Sequence, residues 1–259
     1  MKTGYIVGGI VVLLLLILFS IKYIVADKYT LREMLNAKQM ETVSKSELPS
    51  QSGISTNFTF SIWLYVNNWN YKNGEYKPIF GRFHGGNVTD KVLTNYFDGI
   101  DTCMMRTSID NDCSFNPSPV VTFDKVQNNI LIYIPCSYGD NGFTNPFKCE
   151  VRNIPIQKWV NLSMSVYNKT LDVYINGKLH KTSVMDSIPI MSGGDIHITP
   201  GGGFDGYTSK FQFYPEALNP QEIWNIYSNG YGSLTSTLGD YQVKMSLIEN
   251  GNETNSITI

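Results

Sequence analysis

The stretch from 156 to 179 reads Ile156-Gln-Lys-Trp-Val-Asn-Leu-Ser-Met-Ser-Val-Tyr-Asn-Lys-Thr-Leu-Asp-Val-Tyr-Ile-Asn-Gly-Lys-Leu179, and it decides the fold class. Val160, Leu162, Met164 and Val166 alternate with Asn161, Ser163, Ser165 and Tyr167. A period of two places the first set on one face of a β-strand and the second set on the other. Leu171, Val173 and Ile175 repeat the pattern and stop at Asn176-Gly177. Both turn residues tolerate positive φ, so this dipeptide predicts a two-residue hairpin, with Lys178 to Val184 as the returning strand.

Working outward, the same alternation recurs upstream. Phe58, Phe60, Ile62, Leu64 and Val66 interleave with Thr59, Ser61, Trp63 and Tyr65. Further strands are expected at 77–83, 120–124, 130–135, 195–199 and 206–214, with a last one near 241–247 returning to pair with the first. One helix is signalled inside this region. Asn219 is a suitable N-cap, Pro220 falls at the first helical position and Glu222 completes a capping box, so a helix is expected to about Ser228, stopping before Gly230. No repeat of 20–50 residues is visible. Many short strands, Gly-rich turns and one small helix predict an all-β, antiparallel two-sheet jelly-roll sandwich over 53–259.

The whole chain has 259 residues with 20 basic and 22 acidic side chains, a net charge of −2. That balance excludes a basic nucleic-acid binder, whose affinity depends on phosphate neutralisation by Lys and Arg. Aromatic residues make up 13% of the chain, which excludes a disordered chain. Four cysteines are too few for a disulfide scaffold.

The N-terminus has a different character. Tyr5 to Ile21 is an uncharged run of 17 residues, resumed after Lys22 by Tyr23 to Ala26. Twenty-two helical residues would reach about 33 Å, enough for a hydrocarbon core of about 30 Å. The run exceeds the h-region of a cleaved signal peptide. Residues 1–26 are therefore expected to form a transmembrane anchor, with Leu13 and Leu16 in the lipid, Lys22 reaching the headgroups, and Tyr5 and Tyr23 at the interfaces. Residues 27–52 follow as a juxtamembrane stalk and linker. Leu31, Met34, Leu35 and Val43 form a loose helical stripe, and Thr30 with Glu33 fits a capping box. Two indications of orientation oppose each other. Flanking Lys22, Lys28, Arg32 and Lys38 favour a cytosolic domain. Sequons at Asn57, Asn87, Asn161, Asn168 and Asn252, with the cysteines, favour a lumenal one.

Three segments carry a family resemblance. They are Phe58–Val66 with Lys77–Phe83, Ile156–Met164 with Leu171–Leu179, and Gly203–Tyr207 with Ala217–Ile223. In order and spacing they resemble the laminin-G-like jelly roll of the concanavalin A-like lectin/glucanase superfamily. The resemblance implies two antiparallel sheets, one concave and one convex. Joined to an N-terminal anchor and an Asn-rich domain, it is also similar to membrane-tethered minor capsid proteins of large DNA viruses. That similarity implies a single-pass protein of a virion's internal membrane, its C-terminal domain facing the capsid. The implied partners are the lipid bilayer and capsid or other structural proteins.

The chemistry of the domain points away from catalysis. Retaining glycosidases need two carboxyl groups about 5–5.5 Å apart. Acids two apart on a strand meet that need, but no Glu-x-Asp-x-Glu pattern occurs, and Asp172, Asp195 and Asp205 stand isolated. His84, His180 and His197 are scattered, without a Gly-x-Ser-x-Gly elbow, HExxH or Walker A motif. No enzyme activity and no cofactor are expected. Calcium is the one metal the resemblance raises, because some relatives in the superfamily hold it with loop oxygens; Asp98, Asp101, Asp110 and Asp112 are the candidates, with Asn111 beside them. Glycan binding needs aromatic platforms, which Trp69, Tyr71 and Tyr76 near the first loop, or Tyr138 and Phe143 near another, would supply; they equally suit packing or a partner protein. Cys103, Cys113, Cys136 and Cys149 allow three pairings. Neighbour pairing would close two loops of about ten residues, each bridge worth roughly 2–3 kcal/mol.

Overall fold

The alternation at 58–66 becomes the spine of the molecule. Phe58, Phe60, Ile62, Leu64 and Val66 are all buried in one core, while Trp63 and Tyr65 face the opposite way. The computed structural model describes residues 28–49, 56–83, 93, 97, 117–137, 146–232, 244–249 and 252–258. In chain order the strands are β1 (Thr30–Arg32), β2 (Leu35–Asn36), β3 (Glu41–Val43), β4 (Phe58–Asn68), β5 (Lys77–Phe83), β6 (Val120–Phe123), β7 (Ile130–Pro135) and β8 (Pro146–Val151). They continue as β9 (Trp159–Tyr167), β10 (Thr170–Ile175), β11 (Lys178–Val184), β12 (Asp195–Ile198) and β13 (Asp205–Tyr214), then helix α1 (Pro220–Ser228), β14 (Lys244–Glu249) and β15 (Asn252–Thr258).

Two antiparallel sheets form the sandwich. The first runs β1-β13-β4-β9-β10-β11, with β2 also on β13; the second runs β3-β12-β5-β6-β7-β8. Their inner faces meet in an aromatic core, where the Phe60 ring lies 5.7 Å from Phe58, 5.2 Å from Phe80 and 4.9 Å from Phe213. Burying each such ring contributes about 1.5–3 kcal/mol.

Residues 29–231 form this unit; β14 and β15 belong to a second one and pair with each other as an antiparallel hairpin. The strand expected near 241–247 thus finds its partner at Asn252–Thr258 rather than in the first strand. The predicted anchor over 1–26, with Tyr5, Leu13, Leu16, Lys22 and Tyr23, lies outside the described residues. Among the described residues no helix is long and apolar enough to cross a membrane.

The juxtamembrane helix expected after residue 27 is replaced by strands. β1 and β2 cover the β13 edge of the first sheet, and β3 covers the β12 edge of the second. Sheet edges with free N–H and C=O groups outweigh a thin apolar stripe. The capping box in this segment is Ser44 with Glu47 on a short 3-10 turn, not Thr30 with Glu33. Arg32 ties the crossing together. Its Nε donates to Glu41 Oε1 at 2.9 Å, and its two terminal nitrogens grip the Glu47 carboxylate at 2.8 and 3.3 Å. This grip holds the Glu47 carboxyl below its ordinary range, helped by the Ser44 N–H.

Helix α1 forms as its sequence signals. Asn219 Oδ1 accepts from the Gln221 and Glu222 N–H groups, and Glu222 Oε2 accepts from the Asn219 N–H at 2.7 Å. Its Ile223 and Ile226 bury against Tyr174 and Tyr214 on the outer face of the first sheet. Near the helix that face carries small polar side chains satisfied internally. Thr59 Oγ1 donates to Glu216 O, Ser165 Oγ donates to Leu218 O, and Asn161 Nδ2 donates to Ser61 Oγ.

Candidate functional site

Strand register assembles the candidate site. Tyr207 on β13 lies opposite Tyr65 on β4, and Tyr65 lies opposite Trp159 on β9. Their inner neighbours Leu64 and Val160 are in the core, so the three rings form a row on the outer face. The row continues through residues on α1 and just beyond it. Tyr231 stacks on Trp159 at 4.5 Å and 12°, Trp63 stacks on Tyr227 at 5.5 Å and 20°, and Trp224 lies 5.4 Å from Tyr227. Tyr207, Trp224 and Tyr231 remain 45, 42 and 41% exposed, whereas Trp63 is buried beneath the others. Its indole Nε1–H has no hydrogen-bond partner among the described residues. Orphaned buried donors are rare and call for an explanation such as a binding role or an unseen water.

The backbone is shaped around this belt. Register shifts interrupt the β4–β13 pairing at Asp205/Gly206 and at Ser209/Gln212, on either side of Tyr207. Such irregularities re-aim side chains and recur beside functional sites. A Cβ on Gly206 would lie 1.8 Å from the Tyr65 carbonyl oxygen, so only glycine fits there. The Asn176-Gly177 hairpin closes the other end, where a Cβ on Gly177 would approach Tyr227 Cβ to 2.9 Å. Ser209 Oγ donates to the Tyr231 carbonyl at 2.6 Å and holds that ring over the sheet.

A polar rim borders the row. Asp205 lies opposite Asn68, and Lys38 Nζ stands 3.0 Å from Asp205 Oδ1. The same ammonium is 5.1 Å from the Tyr71 ring centroid. Half-exposed rings beside a carboxylate, amide and ammonium can stack on the apolar face of a sugar and bond its hydroxyls.

The aromatic residues singled out from sequence divide. Tyr71 reaches the rim through Lys38. Trp69 is a packing residue: its ring meets Phe123 edge-on at 5.6 Å, and its Nε1 donates to Val126 O. Tyr76 packs on Phe97 at 4.7 Å under the Lys125 ammonium. The belt itself was missed, although Trp63 and Tyr65 on the polar face of an alternating strand were its visible signal.

The acids on the strands have structural partners. Asp172 accepts from Thr182 Oγ1 at 2.6 Å, and Asp195 accepts from the Lys45 N–H at 2.8 Å. Among the described residues no group of three or more His, Cys, Asp or Glu side chains could hold a metal. Asp98, Asp101, Asp110, Asn111, Asp112, His84, Cys103, Cys113, Tyr138 and Phe143 lie outside the described residues. Pairing of Cys136 with Cys149 is not found; both are buried thiols. Register explains why. Cys149 lies opposite Ile132, four residues before Cys136. That is about 13 Å along the strand, whereas a disulfide needs Cα atoms within about 7 Å. Burial also pushes the Cys136 thiol up, away from the reactive thiolate.

No family model matches the chain, and no curated protein does. Solved structures do. The botulinum neurotoxin serotype D ligand-binding domain in complex with N-acetylneuraminic acid aligns with a TM-score of 0.51 at 12% identity, covering 76% of this chain and 42% of that one. The receptor-binding domain of botulinum neurotoxin D gives 0.50 at 12% identity, covering 76% and 43%. This chain therefore spans about two fifths of the domains it matches. At such identity the likeness shows the fold alone, an antiparallel two-sheet jelly-roll sandwich.

Proposed function

We propose that the sandwich is a non-enzymatic, lectin-like recognition module that binds carbohydrate across the aromatic belt. The row Tyr207, Tyr65 and Trp159, extended by Tyr231 and bordered by Asp205 and Asn68, is the observation that carries this reading. The fold likeness to receptor-binding domains, one of them solved with a sugar, accords with it. Stacking on a preformed row needs neither a metal nor a cofactor. The test is titration of the full chain, in detergent, against neutral and sialylated oligosaccharides, with calcium and with chelator. Trp159→Ala and Tyr65→Ala are each expected to weaken binding about tenfold, or about 1.4 kcal/mol. Trp69→Ala is expected to disturb packing against Phe123. No binding to either sugar class, or binding unaffected by both substitutions, overturns the assignment. Loss in chelator alone would give the acidic residues of 98–112 the calcium role raised by their sequence.

A second reading places the chain as a minor capsid protein tethering an internal membrane to a capsid shell. The apolar run Tyr5–Ala26 favours it. It ranks second because the fold's neighbours are receptor-binding domains. It requires the protein to co-purify with particles and to leave them in detergent but not in salt.

A further inference from the structure

The six strand ends opposite the belt define a second surface. Tyr29 O accepts from the Phe213 N–H, so the chain joins the sandwich near the end of β13, about 20 Å along that strand from Tyr207. At this end Tyr167 and Val184 both lie opposite Thr170, which sets the three in one row. Tyr167 is 60% and Val184 69% exposed, and Ile188, four residues on, is 52% exposed. The row is tied to the adjoining turn, where the Met185 N–H donates to Lys169 O at 2.7 Å and Lys169 Nζ donates to Asp186 O at 3.0 Å. Large apolar side chains grouped at a protein's end mark a contact surface.

We infer that this end of the sandwich, led by Tyr167, Val184 and Ile188, rests on a lipid surface. The inference depends on reading Tyr5–Ala26 as a membrane span. That run ends three residues before Tyr29, and three residues of chain reach about 10 Å at most. The end of the sandwich where the chain joins is thereby the end that a bilayer meets. Tyr beside aliphatic side chains suits the interface, where an aromatic body is buried and its hydroxyl stays wet. Within the sandwich the turn beside the row carries Lys169 and Asp186, of opposite charge, so the contact is apolar. The lipid used in the test is accordingly neutral, and contact is expected to be insensitive to salt. The belt, at the far end of the same sheet, stays free for its ligand.

The full chain is reconstituted in phosphatidylcholine vesicles with acyl chains plain or brominated near the headgroup, and floated. Val184→Trp reports from the proposed surface, Tyr167→Trp is a second reporter there, and Lys178→Trp reports from the other end of β11. An apolar face docked in the interface sits about 5–10 Å into the headgroup–acyl boundary, so the emission that each of the first two adds to that of the parent chain, with its four native tryptophans, is expected to fall by about half in brominated lipid. The emission added by Lys178→Trp is expected to stay unchanged. Flotation with no more quenching at 184 or 167 than at 178 overturns the surface and leaves the span standing. Failure to float overturns both.

Discussion

Lys77 is the side chain whose position is hardest to reconcile with its chemistry. It is 1% exposed, with Nζ 4.6 Å from the Trp69 ring centroid and 3.3 Å from the Glu75 carbonyl oxygen. Burial pulls its pKa below the ordinary 10.5, and Glu75 and Asp124 only partly oppose that. Between the depressed value and 10.5, the unfolded chain holds a proton that the folded chain does not, so stability rises with pH. Lys77→Met keeps the volume and removes the charge. It is expected to raise the melting temperature at neutral pH, with the gain shrinking as pH approaches 10.5; a fall at pH 7 would show that the Trp69 contact outweighs burial. Gly206 is the opposite case, a residue defined by what it lacks. Gly206→Ala is expected to lose cooperative unfolding or belt binding, read by calorimetry and titration, because its Cβ would overlap the Tyr65 carbonyl. Of these two residues, sequence spoke for neither: a lysine opening a strand reads as exposed, and nothing local marks which glycine meets a neighbouring carbonyl.

At the scale of elements, strands of four or more residues were mostly legible, β6 and β12 included, whereas β8, which opens on Pro146, and the two- and three-residue strands were not. β4, β9, β10 and α1 declare themselves by period, turn or cap. β1, β2 and β3 have two or three residues each, too few for a period, and they are strands only because β13 and β12 offer edges. The belt was half legible for the same reason. Trp63 and Tyr65 stand on one strand, but their meeting with Trp159, Tyr207 and Tyr231 depends on strand order, which no local pattern encodes. β3 also carries a pH dependence. His197 on β12 pairs with Thr42, whose Oγ1 is 3.1 Å from His197 Nδ1, and burial holds the imidazole pKa below 6.5 against the opposing Asp195 charge. As pH falls from 6.5 through the folded-state value, the unfolded chain gains a proton first and stability is lost. The protection factors for hydrogen exchange at Thr42 and Val43, which correct for the slower intrinsic exchange at lower pH, are expected to fall over that window and to stay level in His197→Asn. An equal fall in both would assign the effect elsewhere.

At the scale of the whole molecule, the buried thiols and the sequons make a single mass measurement informative. Cys136 and Cys149 are expected to resist alkylation in the native protein and to react fully in guanidinium without reductant. Failure to react after denaturation would reveal a disulfide. Asn161 is buried with its amide bound to Ser61, so it is expected to carry no glycan, while Asn168 sits exposed at a positive-φ turn. Hexose-type mass at Asn168 would establish passage through an oxidising lumen.

The N-terminal crossing has a mechanical side. β1 lies antiparallel to β13 along the sheet, so tension applied at Tyr29 in the strand direction loads its backbone bonds in shear, together, instead of peeling them one by one. Arg32 relays part of that load to Glu41 on β3 and to Glu47, and so into the second sheet. A pull on the leading end of the chain is thus shared between both layers of the sandwich before any single strand must yield.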